Sequence, residues 1–304
     1  MNAMNSKHAI TASLLIALFA PMYQAVAVEL PPSIAIIDNG TRSALFPNNI
    51  AYEVCLLSSG KCPNGKPTME GAGAANLPAT TNKDFNHGTQ MISVALKFNP
   101  TAKIIPIRIV GMTAAGNPSI YSLDDVQNAL NWIVANRTKY NIAVVSVAQG
   151  RIFAGCKVPV GMAENIAILK KANVPLITAV GNDGSRTSVF SPACLPDAVS
   201  IGATDNPWPG VQAIEYDKTA APYIARYSNG AQGQTDFFIN PRWIATMLDG
   251  STKFTLGTSN ATAVFAGWWL LNRKATFDET YSALMATTIE AKNEFQSGRY
   301  VQLP

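Results

Sequence analysis

Along this chain, short apolar runs of the kind that fill the middle of a sheet alternate with longer stretches of helical period. Ile34–Ile37, Ile104–Val110, Ile142–Val147, Leu176–Val180 and Val199–Gly202 are brief and rich in β-branched residues, and they read as buried strands. Between them His87–Lys97, Leu123–Asn136 and Gly161–Lys171 read as helices. Asp124 and Asp125 suit the positive N-terminal end of the second. A strand followed by a helix and then another strand implies a crossover connection. The expected fold class is therefore α/β: a doubly wound, mostly parallel central sheet with helices on both faces.

Such a sheet needs enough apolar material to cover both faces. Of 304 residues, 48% are hydrophobic and only 14% charged, which supports a sizeable core and argues against disorder. Two stretches rich in Gly, Asn and Pro interrupt the alternation. Ser58–Asn86 reads as a surface insertion, and Thr204–Ala231 as loops with a hairpin. No internal repeat or low-complexity linker divides the remainder. The formal charge of +4 comes without a run of Lys or Arg, so nucleic acid is excluded as an expected partner.

The first residues read as an export signal. A polar start containing Lys7 precedes the apolar stretch Ala9–Ala20, and Ala25-Val26-Ala27 forms a small-x-small cleavage site. The expected division is a signal over residues 1–27 and one domain over residues 28–304. The apolar stretch is too short to span a membrane, so no stable span is expected once the signal is removed. Export also suits the four cysteines, Cys55, Cys62, Cys156 and Cys194. Four cysteines allow three pairings. The favoured one joins Cys55 to Cys62 across a short polar loop and Cys156 to Cys194 between two loops. A metal site is the alternative, but the spacings make no tight ligand pair, and no metal or other cofactor is expected.

The second histidine, His8, falls in the signal, so any imidazole chemistry belongs to His87, which stands with Gly88-Thr89 at a loop-to-helix transition. Asp38 follows directly on a buried strand, where the crevice of an open α/β sheet lies. Ser259 follows Gly257-Thr258 at the head of an almost wholly apolar stretch, Ala261–Trp269. A serine there can cap a helix or act as a nucleophile at the positive helix end. Asn182, in Gly181-Asn182-Asp183-Gly184, follows another buried strand. It is either a turn residue or an uncharged donor for a developing oxyanion.

In this order the four segments resemble the subtilisin-like serine peptidases, the subtilase family. Asp38-Asn39-Gly40, His87-Gly88-Thr89, Gly181-Asn182-Asp183-Gly184 and Gly257-Thr258-Ser259-x-Ala261-Thr262 match its Asp, His, oxyanion and Ser segments, and Ala266-Gly267 closes the last. The resemblance implies a catalytic triad of Asp38, His87 and Ser259, with Asn182 as oxyanion donor. It further implies a substrate-binding strand at Ser146, Val147, Ala148 and Gln149, with Asp183 near the mouth of the pocket for the substrate side chain. The expected function is a secreted or periplasmic serine endopeptidase acting on peptide or protein substrates. The alternatives are a non-catalytic subtilase scaffold that binds peptide or protein, and an acyl transferase on the same triad.

Several positions depart from the family pattern. Ala263 stands where the family has proline, and Gln90-Met91-Ile92-Ser93 replaces His-Val-Ala-Gly after the His segment. Ala148 and Gln149 stand near family glycines, so their side chains are expected to crowd the cleft. Ten residues separate Val28 from Asp38, with no room for an inhibitory propeptide. A trans-acting inhibitor or folding partner is therefore among the expected partners.

Overall fold

The structure, a computed structural model, describes residues 30–205, 222–230 and 233–304. The export signal and most of Thr204–Ala231 lie outside the described residues. In chain order the strands are β1 (Ser33–Asp38), β2 (Val54–Leu56), β3 (Thr68–Glu70), β4 (Lys103–Arg108), β5 (Ile142–Val147), β6 (Leu176–Ala179), β7 (Val199–Asp205), β8 (Tyr223–Ile224), β9 (Phe237–Ile239), β10 (Trp243–Thr246), β11 (Thr252–Thr255), β12 (Thr288–Lys292) and β13 (Ser297–Val301). The helices are α1 (Asn86–Ala95), α2 (Leu123–Asn136), α3 (Met162–Lys171), α4 (Thr258–Asn272) and α5 (Phe277–Ala286).

β2, β4, β1, β5, β6, β7 and β9 lie side by side in that order, each pair parallel. Burial on both faces explains why these strands show unbroken apolar runs rather than alternation. Two hydrophobic clusters flank the sheet. One joins Ile34, Ile36 and Ile104 to α1, α4 and α5; the other joins Ala35, Ile37 and Ile105 to α2 and α3. The doubly wound α/β class is thus the observed one. Among the described residues no helix is long and apolar enough to cross a membrane.

The order of the strands fixes where a site can form. From β1 the chain passes through α1 to β4 on one side, then through α2 to β5 on the other. The strand order therefore reverses at β1. The connections leave on opposite faces there, which opens a crevice at the carboxyl end of that strand. Asp38 is its last residue.

Ser58–Asn86 is not a mere surface insertion. Thr68–Glu70 pairs antiparallel with β2 and extends the sheet edge. Behind that hairpin the Glu53 carboxylate is buried and accepts hydrogen bonds from the N–H groups of Gly73 (3.0 Å) and Ala75 (3.1 Å). A buried carboxylate survives only when so satisfied, and here it draws Ala74, Ala75 and Leu77 into the interior. The polar composition of the stretch hid this, because the residue that organises it lies outside it.

The four cysteines join as favoured from their order: Cys55 to Cys62, and Cys156 to Cys194.

Candidate active site

β1 delivers Asp38 to the crevice with its side chain almost wholly buried. Its carboxylate is held from several directions. Oδ1 accepts the N–H of Asn39 at 2.7 Å, and both oxygens lie within 2.9 Å of His87 Nδ1. An acceptor on that side makes Nδ1 the protonated ring nitrogen and leaves Nε2 free to take a proton.

The next two residues position the histidine. Asn39 is buried. Its side-chain oxygen accepts the N–H of Gly88 at 2.9 Å, and its amide donates to the Asp84 carbonyl at 3.3 Å. One asparagine thus pins the head of α1 to the end of β1. The approach requires glycine at position 88, where a Cβ would stand 2.0 Å from the Gly40 carbonyl oxygen. In the sequence Asn39 reads as an ordinary turn residue; its reach of 49 positions along the chain is visible only in three dimensions.

Burial works against charge on the His87 imidazole. The charge of Asp38 and the hydrogen bond to it work the other way and prevail, so its pKa stands above the ordinary value.

Ser259 is the second residue of α4, half-buried, at the end of the helix where backbone N–H groups lack partners. The helix begins at Gly257, whose φ of 119° and ψ of 163° suit glycine alone. Its first residue is capped from outside. Asn182 Oδ1 accepts both the N–H of Thr258 (2.9 Å) and its hydroxyl (3.0 Å). Two donors converging on that atom settle the orientation of the amide. Asn182 is exposed, and its Nδ2 lies beside Gly257 at the head of α4. Among the described residues neither Nδ2 nor the Ser259 N–H has an acceptor.

Asn182 owes its place to β6, which ends three residues earlier, and to a bracing contact below. Asn229 is fully buried and donates to the Val180 carbonyl (3.0 Å) and to Asp183 Oδ2 (2.9 Å). Its oxygen accepts the N–H groups of Asp183 and Ser185. The Asp183 carboxylate, expected near the mouth of the substrate side-chain pocket, thus helps brace the turn that presents Asn182.

The helices that carry His87 and Ser259 pack against each other. α1 and α4 both start at the carboxyl edge of the sheet and pack against the same face. They meet so closely at Ala95 and Gly267 that a Cβ on Gly267 would lie 1.9 Å from the Ala95 carbonyl oxygen. His87 lies eight residues before Ala95 (95 − 87) and Ser259 eight before Gly267 (267 − 259). At 1.5 Å per residue, each therefore lies about 12 Å along its own helix from that contact. Among the described residues no hydrogen bond joins the His87 ring to the Ser259 hydroxyl. Such contacts are often long before substrate binds.

The expected substrate strand needs correction. Ser146 and Val147 lie inside β5, paired on one side with Ile36 and Ile37 and on the other with Ile177 and Thr178. Their backbone is engaged by the sheet. Ala148 and Gln149 follow the strand and make no backbone–backbone hydrogen bond among the described residues. Their side chains, expected to crowd the cleft, go separate ways. Ala148 belongs to the core cluster under α4, and Gln149 turns inward to donate from Nε2 to Asp38 Oδ1 at 3.3 Å. The Tyr121 hydroxyl fixes the turn beyond, accepting the N–H of Gly150 (3.1 Å) and donating to its carbonyl (3.2 Å). Gln149, placed by the sequence on the substrate-binding strand, thus also contacts the acid of the site.

A model described as the Subtilase family matches residues 32–299. Subtilisin-like protease 3 of Pseudogymnoascus destructans is 28% identical over 138 residues, 44% of this chain and 32% of that protein. The extracellular serine proteinase of a Thermus species (strain Rt41A) is 27% identical over 206 residues, 64% of this chain and 42% of that protein. The chain thus spans about a third to two fifths of these curated relatives. Among solved structures, sphericase superposes over 91% of this chain and 92% of its own, at 17% identity and a TM-score of 0.67. A cold-adapted subtilisin-like serine proteinase covers 90% and 89%, at 16% identity and a TM-score of 0.62. Likeness at these identities concerns the fold.

Proposed function

The chain belongs to the subtilase family, and from that premise we propose that it is an exported serine endopeptidase working through Asp38, His87 and Ser259. The observation that carries this reading is the Asp38–His87 hydrogen bond at the sheet's reversal point, with Ser259 heading the helix packed beside α1. In this mechanism Ser259 Oγ attacks a peptide carbonyl while His87 Nε2 takes its proton. Asp38 holds the ring in the right tautomer and stabilises the imidazolium. Asn182 Nδ2 and the Ser259 N–H stabilise the oxyanion. His87 then returns the proton to the leaving amine, and water activated at the same nitrogen releases the acid. Substrate pairs as an added strand with Ala148 and Gln149, whose backbone the sheet leaves open. Residues 1–27 serve as the export signal, and the protein acts outside the cytoplasm on peptides or proteins.

The test is Ser259-dependent labelling by a fluorophosphonate, together with peptide cleavage read by mass spectrometry. Labelling that persists in Ser259→Ala and in His87→Ala would remove the assignment.

Asn182→Asp separates the two jobs of that residue. The variant keeps an oxygen for Thr258, so the cap on α4 survives. It loses the donor and sets negative charge against the oxyanion. The expected result is a kcat lower by at least about 10²–10³, the size known for the corresponding donor in subtilisin, with KM little changed. A kcat within a few-fold of the parent would show that Nδ2 takes no part.

The pKa shift of His87 predicts opposite pH responses for rate and stability. Hydrolysis needs a neutral ring, so kcat/KM rises with pH through a value above about 6.5. The imidazolium–Asp38 pair stabilises the fold below the histidine's unfolded pKa, and that contribution fades as pH climbs through the folded value. Removing the Asp38 charge leaves burial unopposed, so NMR titration of Asp38→Asn should move the His87 midpoint downward. An unmoved midpoint would contradict the assigned cause.

A further inference from the structure

Arg108 ends β4 in register with Asp38, yet no ion pair joins it to any carboxylate among the described residues. Its side chain is nearly inaccessible, at 4% exposure for the residue. Three contacts fix the guanidinium. Nε donates to the Val110 carbonyl at 3.0 Å, Cζ lies 5.9 Å from the centre of the Phe85 ring, and Gly40 leaves room for the stem. A Cβ at Gly40 would stand 3.1 Å from Arg108 Cδ. With Nε taken, both terminal nitrogens lack hydrogen-bond partners among the described residues. Burial lowers the pKa of this group, but an arginine keeps its proton at any working pH. A fixed, nearly enclosed cation without a counter-charge is costly, and an anion would relieve that cost.

Arg108 is among the residues that line a cleft of about 760 Å³. Its lining carries a second cation, Lys61, together with the polar side chains of Asn76, Thr81 and Asn82, and includes no acidic residue. Lys61 sits on the loop that the Cys55–Cys62 disulfide closes, and it forms no ion pair among the described residues. Asp38, His87, Asn182 and Ser259 are not part of the lining. Two parallel N–H donors at the tip of an arginine match the two oxygens of a carboxylate. A carboxylate is the oxyanion that an unmodified peptide carries on its side chains. The volume exceeds what a small ion needs and lies within the range of pockets that hold organic ligands.

We propose that the cleft between Arg108 and Lys61 is a carboxylate-binding site that receives an acidic side chain of a bound peptide, beside the hydrolytic centre and separate from it. The site stands whether or not the hydrolytic reading does. A peptide held there lies against the Asn82–Phe85 turn that leads into α1, so its grip is felt next to His87.

The test uses the full chain carrying Ser259→Ala, which prevents self-digestion. Calorimetry is run with the end-blocked peptide Gly-Glu-Gly, its neutral counterpart Gly-Gln-Gly, and glutarate. The expected result is saturable binding of the Glu peptide alone, weakened by added salt. Lys61→Ala, a change at an exposed position, should weaken it several-fold, and Arg108→Gln about tenfold or more. Because Arg108→Gln removes a buried group and its folding could suffer, the Arg108 Nε–H NMR signal is followed in the unchanged cleft. It should shift on titration with the Glu peptide and stay still with the Gln peptide. Glutarate binding as tightly as the peptide would overturn the peptide assignment and make the cleft a site for small dicarboxylates. No heat and no shift with any carboxylate at about 10 mM would overturn the site altogether.

Discussion

Replacing Ser259 with alanine is expected to lower kcat for peptide hydrolysis about a millionfold while leaving thermal stability within about 0.5 kcal/mol of the parent. The size of the rate effect is that known for subtilisin, a family value and not one read from this geometry. The small stability effect does follow from the geometry. Ser259 is only half-buried, and its hydroxyl makes no hydrogen bond among the described residues. The cap on α4 comes from Asn182 instead. Alanine therefore deletes a group that holds nothing up, at a helical position where it is the better former. His87→Ala should cost nearly as much in rate, and the double variant little more, because the two act as one unit. Steady-state rates with unfolding curves on the same samples check both halves. Hydrolysis by Ser259→Ala within about tenfold of the parent would end the nucleophile assignment.

Gly267→Ala should instead unfold the molecule more easily without touching any reacting group. The added Cβ would lie 1.9 Å from the Ala95 carbonyl oxygen and 3.0 Å from its carbon. These are backbone atoms of α1, so no rotamer change relieves the clash and the helices must separate. Overpacking of a core typically costs about 1–3 kcal/mol. Two rigid helix backbones in contact put this case at about 3 kcal/mol or above, a fall in Tm of roughly 6–12 °C for a domain of this size. Activity in what remains folded should fall too, because the same contact holds together the two helices that carry His87 and Ser259. Thermal unfolding measures the first effect, and kcat at a temperature well below the transition measures the second. A Tm within about 2 °C of the parent would mean that α1 and α4 are not packed this closely.

The most legible parts of the sequence were those governed by local rules. The runs that became β1, β4, β5, β6 and β7 could be read because a strand buried on both faces carries apolar residues at nearly every position. α2 was read to its observed bounds, helped by acids at its head, where Ser122 and Asp125 form a capping box. α5 was missed although Thr276 and Glu279 form the same box. Its apolar stripe is narrow, and it lies beyond the stretch where strands and helices alternate. β8 to β13 were missed because all are short. β8 and β9 are defined by partners distant in the chain, whereas β10–β11 and β12–β13 are local antiparallel pairs too brief to show a clear period.

By itself the sequence determined the class of fold, the approximate ends of its central elements, the cysteine pairing it favoured, and the identity and order of four motifs. All of these rest on residue types at fixed local spacing, which a linear chain records. Only the tertiary structure decided what meets what. Asn39 reaches Gly88, Asn182 caps a helix that begins 76 residues later (258 − 182), Gln149 bends inward to Asp38, and Arg108 has no counter-ion among the described residues beside a cleft lined by a second cation. The reason is that a contact between segments far apart in the chain is set by how elements pack. The same asparagine, glutamine or arginine would read alike in a turn or on a surface.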